Sequence, residues 1–486
     1  MAEQIVIEPI TRIEGHARIS LLLDEAGRVA EARFQVTQVR GFEQFVVGRP
    51  YFEMPALTAR ICGICPVSHV LASAKACDRL LAVRIPETAA NLRRILNLGQ
   101  LIQSHALSWF YLSAPDLLLG MDHPPATRNF LGIAATDLQF ARDGIRLRRF
   151  GQQVIERLAG RRIHPAWVVP GGVDAPLEPS AREAILAEIP EIKALACGHL
   201  ERCRQLLARH LEEALVFASF PSLFLGLTGP GGRLEHYDGL VRIIDADGAL
   251  LADGLDPADY ADTIGEAVEP WTYLKFPYYK PHGYPDGMYR VGPLARLNLV
   301  DRCGTELADR ELAHFRNLAS GPVPGNFHAH YARLIELLAA VETMELLLAD
   351  PASLDRRVRA VAGVNDTEGV GAIEAPRGFL LHHYRVDEHG LIQQANLIIA
   401  TGHNNLAMQR GILQAARHYL DNNPPAEGLL NRLEAVIRTF DPCLSCSTHA
   451  VGAMPLVVRL LDPDGCTVAE LSRCEISHNL QALSHR

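Results

Sequence analysis

The 486-residue sequence lacks the features that mark several classes of protein. It has no block of basic residues, and its formal net charge of −9 argues against a nucleic-acid-binding surface. No run approaches the roughly 18 apolar residues of a membrane-spanning helix, because the best candidate, residues 214–229, is broken by Pro221. The first residues also lack the basic-then-apolar order of a secretory signal. We therefore expect a cytoplasmic protein that binds neither nucleic acid nor a membrane.

Nucleotide-binding and disulfide patterns are missing as well. No Gly-x-Gly-x-x-Gly follows a strand pattern, and no phosphate-binding Gly-x-x-x-x-Gly-Lys occurs, so no nucleotide site is expected in this chain. The ten cysteines are too few for a disulfide scaffold in so long a chain. Four of them form two Cys-x-x-Cys pairs, which in a cytoplasmic protein favours metal or redox chemistry.

The length and the hydrophobic periodicity predict a large, mostly helical fold. The chain exceeds the roughly 250–300 residues at which one core stops growing, so two lobes or one interwoven body are expected. We predict an α+β fold that is predominantly helical, a single interwoven unit of long helices with small sheets near the N- and C-terminal parts. Helical patterns cover residues 87–112, 180–217, 326–349 and 404–420, and hairpin patterns cover residues 17–36 and 378–400.

Two short motifs near opposite ends of the chain carry most of the chemical information. Pro66 suits the first turn of a helix, so the first motif is expected at a helix N-terminus, where partial positive charge favours thiolates. The two motifs can form one four-sulfur site only if the fold brings the ends of the chain together. The residues concerned are Cys62, Cys65 and His69 in the first motif, and Cys443, Cys446 and His449 in the second.

Spacing alone leaves several kinds of site open. A thioredoxin-like redox motif needs a βαβ context, which is missing here. Four thiolates in two pairs are typical of a structural zinc site or of an iron–sulfur cluster. However, the 377 residues between Cys65 and Cys443 make a poor local cross-link, and polar residues crowd both motifs.

Beyond spacing, the motifs resemble those of a known family. Arg60-x-Cys-Gly-x-Cys-x-x-x-His69, together with Asp441-Pro-Cys-x-x-Cys-x-x-His449, is similar to the large subunit of nickel–iron hydrogenases. The resemblance extends along nearly the whole chain and is greatest, in residues 103–107 and 443–446, to the cytosolic, NAD-linked bidirectional enzymes. The other matching segments, in the order of the family, are residues 11–16, 40–43, 164–165, 170–172, 289–296 and 374–378.

The resemblance implies a nickel–iron centre whose iron carries carbon monoxide and cyanide. Nickel would be bound by Cys62, Cys65, Cys443 and Cys446, of which Cys65 and Cys446 would also bridge to iron. Soft thiolates suit such an electron-rich centre. Because the family splits dihydrogen heterolytically, the resemblance makes Cys443 the first proton acceptor and Glu14 the residue that relays the proton outward.

Residues around the metals follow from the same resemblance. Arg377 would lie over the open face of the centre, although an ion pair with Glu374 is an alternative. His69 would donate a hydrogen bond to a bridging sulfur. Ala400 and Thr401 would hold an iron-bound cyanide through a backbone N–H and a hydroxyl; for Thr401, the alternative is a hydroxyl bonded to its own backbone.

The C-terminal part carries two further implied features. A magnesium-type site would be formed by Glu43, the backbone carbonyl of Leu397 and His449. The family is made as a precursor, and an endopeptidase removes the tail after the last histidine once nickel is loaded. We therefore expect a hydrogenase body over residues 1–449 and an extension over residues 450–486 that is removed on maturation. The alternative for the tail is an ordinary terminal hairpin.

Electrons are expected to leave through other subunits, because the cysteines outside the two pairs lack a partner motif for an iron–sulfur cluster. The implied partners are a small subunit with iron–sulfur clusters, NAD-binding diaphorase subunits, maturation chaperones and the endopeptidase. The predicted function is the catalytic large subunit of a cytoplasmic nickel–iron hydrogenase, which interconverts dihydrogen with protons and electrons. The electrons are expected to pass to the iron–sulfur subunit and then to NAD(P). The competing hypothesis is a non-catalytic scaffold subunit of a redox complex, with a structural four-cysteine zinc site.

Overall fold

Long helices dominate the chain. The computed structural model describes residues 4–421 and 423–448, and further on the backbone of three strands. The predicted α+β, predominantly helical fold is confirmed. The α-helices are Phe42–Phe45, Met54–Thr58, Pro66–Leu80, Glu87–Ala106, Ala114–Leu119, Phe130–Thr136, Leu138–Ala159, Pro179–Leu207, Leu211–Val216, Tyr260–Thr263, Pro293–Leu299, Glu306–Arg316, Ala329–Ala349, Ala400–His403, Asn405–Leu420, Glu427–Phe440 and Leu444–Ser447.

Two predicted helices are interrupted. The pattern over residues 87–112 changes after Ala106 into a π-helical segment, Leu107–Ser113. The pattern over residues 180–217 gives one helix ending at Leu207 and a second, Leu211–Val216. In the part of the chain that the structure describes, no helix combines the length and the apolar character needed to span a bilayer.

Small antiparallel sheets lie towards both ends of the chain. Both predicted hairpins are present, and each gains a third strand. The first sheet contains Gln4–Ile7, Ala17–Leu23 and Val29–Val36; the second contains Glu368–Ala375, Gly378–Val386 and Ile392–Ile398; and the strands beyond residue 448 are Leu456–Leu461, Thr467–Arg473 and Leu480–Leu483.

A larger sheet in the middle of the chain is absent from the sequence prediction. Its strand Leu223–Gly229 is buried at every residue and belongs to the apolar stretch 214–229. Periodicity does not distinguish a short buried strand from a buried helix, which accounts for the omission. The sheet consists of Tyr289–Arg290, Leu223–Gly229, Leu240–Ile244 and Leu250–Leu255, with Arg233–Leu234 at its side; two-stranded ribbons pair Val168–Val169 with Gly172–Val173 and Ile264–Ala267 with Phe276–Tyr279.

An ion cluster around Asp116 joins the two ends of the chain. The buried carboxylate of Asp116 accepts hydrogen bonds from Arg12 and, at 3.0 Å, from Arg438. Arg438 also donates to the carbonyl oxygen of Thr11 at 3.0 Å. Because Arg438 lies on the helix Glu427–Phe440, which leads into the second cysteine pair, the cluster holds that pair against the N-terminal segment.

The first cysteine pair is positioned by the helix that follows it. The helix Pro66–Leu80 packs so closely on the strand Glu368–Ala375 that a Cβ atom at Gly371 would lie 2.1 Å from the carbonyl oxygen of Ala72. Only glycine fits such a contact. Since this strand leads directly to Arg377, the close packing brings that arginine to the same region as the first cysteine pair.

Candidate metal centre

The two cysteine pairs meet in one buried cluster. Cys62 Sγ lies 3.3 Å from Cys443 Sγ, and Cys65 Sγ lies 3.4 Å from Cys446 Sγ. All four sulfurs lie within 4.8 Å of one another, and none of these cysteines is more than 6% exposed. Metal–sulfur bonds of about 2.3 Å in a tetrahedron place the sulfurs about 3.8 Å apart, so the cluster has the dimensions of a metal site. The predicted convergence of the two ends of the chain is confirmed.

The loop of the first pair is held by backbone and glutamine hydrogen bonds. The N–H groups of Ile64 and Cys65 donate to Cys62 Sγ at 3.2 and 3.4 Å. Gln100 and Gln103 both donate from a neighbouring helix to the carbonyl oxygen of Ile64, at 2.8 and 2.9 Å. Cys65 is the N-cap of the helix that follows, as the sequence predicts.

The second pair is bound to the N-terminal segment. Glu14 and Cys443 pair in a parallel backbone bridge, and the N–H of Leu444 donates to the Glu14 carbonyl at 3.1 Å. The N–H of Ser445 donates to the Glu14 carboxylate at 3.0 Å. Gly15 permits this contact, because its φ is +89° and a Cβ atom there would lie 2.7 Å from Leu444 Cβ. Glu14 itself is partly exposed.

Arg377 points its charge towards the sulfurs and pairs with Asp441. Its guanidinium donates to the backbone carbonyl and, at 3.0 Å, to the carboxylate of Asp441, and at 3.3 Å to Ser104 Oγ. Burial opposes the charge of Arg377, but Asp441 and the thiolates of the cluster outweigh this and raise its pKa. The alternative ion pair with Glu374 is not formed, because Arg296 binds that carboxylate at 2.7 Å.

Two family models together cover most of the chain. The model described as HoxL-like matches residues 4–39, and the model described as nickel-dependent hydrogenase matches residues 40–121 and 249–449. The chain is 40% identical to the NAD-reducing hydrogenase HoxS subunit beta of Cupriavidus necator, over 97% of this chain and 100% of that protein.

This chain belongs to the nickel-dependent hydrogenase family.

Other hydrogenases are similar in sequence and in fold. The alpha chain of sulfhydrogenase 2 of Pyrococcus furiosus is 31% identical over 92% of this chain and 99% of its own. A solved NAD+-reducing nickel–iron hydrogenase in the H2-reduced state matches with a TM-score of 0.90 and 46% identity, covering 92% of this chain and 100% of that one. The nickel–iron–selenium hydrogenase of D. vulgaris Hildenborough, at 22% identity and a TM-score of 0.75, shares the fold. The chain is therefore a hydrogenase large subunit.

The sulfur cluster of this hydrogenase has the chemistry that a nickel–iron pair requires. Hydrogen bonds from Cys443 and Cys446 lower the pKa of Cys65, whereas contacts with the other sulfurs raise the pKa of Cys443 and burial raises that of Cys446. More than one thiolate is therefore unfavourable in this buried cluster unless a cation compensates the negative charge. Soft thiolates select soft metal ions, and coordination deprotonates them.

A small cavity of about 10 Å³ adjoins the sulfurs on one side. Cys65, Cys443 and Cys446 border it, and Cys62 does not. Thr401, which also lines the cavity, accepts a hydrogen bond from the N–H of Cys443 at 2.9 Å instead of bonding to its own backbone. Acceptance of this bond leaves the O–H proton of Thr401 for another partner. The remaining lining residues are Ser68, His69, Ala375, Pro376, Arg377, Leu380, Ile399 and Ala400.

His69 presents one ring nitrogen to this region. Its Nδ1 atom lies 3.2 Å from His382 Nε2, and His382 Nδ1 lies 2.7 Å from the hydroxyl of Tyr384. The Nε2 atom of His69 is buried, and among the described residues no hydrogen-bond partner is found for it. His69 contributes to the lowered pKa of Cys65. A donor aimed at a metal-bound sulfur fits these observations.

Two of the three residues expected at the magnesium site are adjacent. Glu43 Oε1 accepts hydrogen bonds from the N–H of Leu397 at 2.9 Å and from Lys275 Nζ at 3.3 Å. Burial raises the pKa of Glu43 to about 7, and no partner is found for its Oε2 atom in the described part of the chain. A buried carboxylate oxygen of this kind suits a hard cation. His449, the third expected ligand, lies outside the described residues.

Several residues that support the centre are not predicted from the sequence. Asp441 stands inside the second cysteine motif, and its acidic side chain is a signal that could have been used. Gln100 and Gln103 are spaced i,i+3 and therefore lie on one helix face, which is a second usable signal. Lys275 gives no such signal, because its contact with Glu43 joins segments that are distant in the chain.

Proposed function

We propose that this large subunit catalyses the reversible cleavage of dihydrogen in the cytoplasm and passes the electrons to a small subunit with iron–sulfur clusters. Diaphorase subunits would then deliver them to NAD(P). The observation that carries the proposal is the four-sulfur cluster in a member of a nickel-dependent hydrogenase family. The NAD linkage is supported by two similar proteins, one by sequence and one by structure, which are both described as NAD-reducing.

The proposed ligands are the four clustered cysteines. Cys62 and Cys443 would bind nickel alone, whereas Cys65 and Cys446 would also bridge to iron. When bound, the nickel–iron pair would supply the electron-rich centre on which dihydrogen is cleaved heterolytically. The cavity borders Cys65 and Cys446, the two proposed bridging residues, as well as Cys443, and this supports a second metal position next to the bridging sulfurs.

Residues around the cavity would hold the carbon monoxide and cyanide ligands of the iron. Thr401 retains a hydroxyl proton to donate. Ala400 begins a short helix, where a backbone N–H has no acceptor within the helix. Arg377 lines the cavity with a fixed positive charge, which is suited to polarising or orienting an incoming molecule.

A proton route leads from the cluster to the surface. Cys443 would take the proton, and Glu14 would carry it outward. The backbone bridge between Glu14 and Cys443 and the partial exposure of Glu14 support this order. His69 would donate to a bridging sulfur through Nε2 and so adjust the electron density at the metals.

The domain boundary at residue 449 is also part of the proposal. Residues 1–449 would form the mature body, with Glu43, the Leu397 carbonyl and His449 holding magnesium, and residues 450–486 would be removed by an endopeptidase after chaperone-assisted nickel loading. The family match ends at residue 449, which supports this boundary. Mass spectrometry of the mature protein is expected to show a chain ending at or next to His449. An active enzyme with a full-length chain would refute the cleavage.

The proposed function is tested by infrared spectroscopy and metal analysis of the purified complex, together with hydrogen-dependent NAD reduction. Carbon monoxide and cyanide stretches, nickel, iron and activity are expected in the wild type. The Cys446→Ser variant loses a bridging ligand and is expected to lose the activity, whereas Cys303→Ser, a buried cysteine outside the cluster, retains it. Zinc without nickel would instead support the scaffold hypothesis.

A further inference from the structure

Arg296 lies behind the segment that carries Arg377. It is fully buried on the helix Pro293–Leu299. A guanidinium has five N–H donors, and here each has an acceptor. The acceptors are both carboxylate oxygens of Glu336, each at 2.6 Å, Glu374 Oε2 at 2.7 Å, and the backbone carbonyls of Ala375 at 3.0 Å and Pro376 at 3.3 Å.

The two carbonyls belong to the residues that directly precede Arg377. One side chain therefore fixes the backbone of this turn. Two glycines allow the segment around Val291 to pack closely on this turn. A Cβ atom at Gly292 would lie 2.8 Å from the Arg377 carbonyl oxygen, and one at Gly378 would lie 2.3 Å from Val291 Cγ2. The two sequence motifs, residues 289–296 and 374–378, thus interlock.

Glu336 in turn is fixed by more than Arg296. Its Oε2 atom lies 3.0 Å from His105 Nε2, and all three side chains are fully buried. His105 follows Ser104, whose hydroxyl accepts a hydrogen bond from Arg377. The guanidinium of Arg377 uses three of its five N–H groups on Asp441 and Ser104. The other two remain for the cavity that Arg377 lines.

We propose that Arg296, oriented by Glu336, is a positioning residue that fixes Arg377 at the metal centre. This inference rests on the role of Arg377 given under the proposed function. Lysine cannot replace Arg296, because one ammonium group lacks the planar fork that reaches two carboxylates and two carbonyls together. Without these bonds the turn before Arg377 has room to shift, and a displacement of about 1 Å near a reaction centre costs about 100-fold in rate.

The test compares R296K with R290K in the assembled complex. Arg290 is the matched control, since it is also buried and belongs to the same motif, but its guanidinium binds Ser222 and the carbonyls of Ala218, Phe220 and Pro324. R296K is expected to lower kcat by about 10- to 100-fold, and R290K to leave it within about twofold. Amide hydrogen exchange of the peptide 374–380 is expected to quicken in R296K and not in R290K.

A double-mutant cycle with R377K separates positioning from general damage. If Arg296 acts through Arg377, R296K adds little to the loss of kcat that R377K already causes. The inference would be overturned if the kcat losses of R296K and R377K multiplied in the double variant. Unchanged amide hydrogen exchange of the peptide 374–380 in R296K would overturn it as well. Wild-type kcat in R377K would overturn the proposed role of Arg377 itself. If R296K does not assemble, E336Q replaces it in the same cycle, because it weakens one carboxylate contact and keeps the arginine in place.

Discussion

Glu14 and Cys443 lie side by side in a parallel backbone bridge, although they come from opposite ends of the chain. The bridge holds the backbone of the residue with the carboxylate beside the backbone of a residue with a cluster sulfur. The Glu14 carboxylate is further fixed by the N–H of Ser445, at 3.0 Å. A carboxylate that is fixed in the loop of the second cysteine pair, on a partly exposed residue, is suited to receive a proton from this region.

Replacing Glu14 by glutamine tests this proton route. The amide still accepts the hydrogen bond from Ser445, but it cannot take up a proton, so kcat is expected to fall by about 100-fold or more. Glu31→Gln is a suitable control, because the side chain of Glu31 is 45% exposed and pairs with Arg33. Nickel content and infrared bands are expected to stay unchanged in both variants. Full hydrogen-dependent turnover in the Glu14 variant would remove Glu14 from the route.

The Asp116 cluster predicts that two aspartate-to-asparagine variants differ strongly in their free energy of unfolding. Asp116→Asn takes the shared carboxylate away from Arg438, which is buried, and from Arg12, whose side chain is 14% exposed, at a cost of about 3–5 kcal/mol. The side chain of Asp122 is 71% exposed and forms a surface ion pair with Arg432. Asp122→Asn removes this pair at a cost of about 0–1 kcal/mol. Thermal unfolding is expected to shift strongly to lower temperature in the first variant only. Equal shifts would show that Asp116 does not hold the two ends of the chain together.

Magnesium binding at Glu43 is expected to depend on pH. Burial raises the pKa of Glu43 to about 7, above its ordinary value of 4.5, so in the absence of a cation the carboxyl group binds a proton below pH 7. The proton competes with the cation, and the affinity for magnesium is expected to fall by about tenfold per pH unit below 7. Magnesium should therefore raise the thermal unfolding temperature more at pH 8 than at pH 6.

Glu43→Gln is expected to abolish the stabilisation by magnesium. Glu266→Gln serves as the control, because Glu266 pairs with the same Lys275 but is not bonded to Leu397. A magnesium-dependent shift of the same size in the Glu43 variant would place the cation elsewhere.

Buried neutral histidines predict a loss of stability in acid. Burial lowers the pKa of His403 to about 3, whereas the unfolded side chain has a pKa of about 6.5. The unfolded chain therefore binds this proton first, so the contribution of His403 is complete above pH 6.5 and is lost as the pH falls towards 3. His105 and His328, whose pKa values burial lowers to about 4, act in the same direction.

The slope of stability against pH measures this contribution. Each such histidine accounts for up to about 1.4 kcal/mol per pH unit in that range. His403→Gln does not titrate, so its thermal unfolding temperature is expected to fall less steeply between pH 6.5 and 4 than that of the wild type. An unchanged slope would mean that His403 does not stay neutral in the folded chain.

The sequence predicts the parts of this molecule whose signal is local. The spacing of Cys62 and Cys65 from Pro66 predicts a helix N-terminus, and alternating residues predict the two hairpins. The four-sulfur cluster needs one further assumption, that the two Cys-x-x-Cys pairs complete each other in one site. Each of these inferences needs only residues that are close together in the chain or motifs that repeat.

Contacts between segments that are distant in the chain could not be predicted from the sequence. Arg377 has an acidic neighbour three positions away, Glu374, yet its partner is Asp441, 64 positions away. The nearer carboxylate is taken by Arg296, which comes from a helix that periodicity did not reveal. In the central sheet, the pairing of Tyr289–Arg290 with Leu223–Gly229 likewise joins segments that are distant in the chain.

The central claim is that sulfurs from both ends of the chain bind one nickel ion beside an iron ion. Nickel K-edge X-ray absorption of the mature complex tests it most directly, because the method counts the sulfur ligands of nickel and detects a neighbouring iron. We predict a nickel ion with sulfur ligands from Cys62, Cys65, Cys443 and Cys446 and an iron neighbour, with fewer sulfur ligands in any variant that retains nickel after one of these cysteines is replaced. Nickel bound mainly by nitrogen and oxygen, or a site filled by zinc alone, would contradict the account.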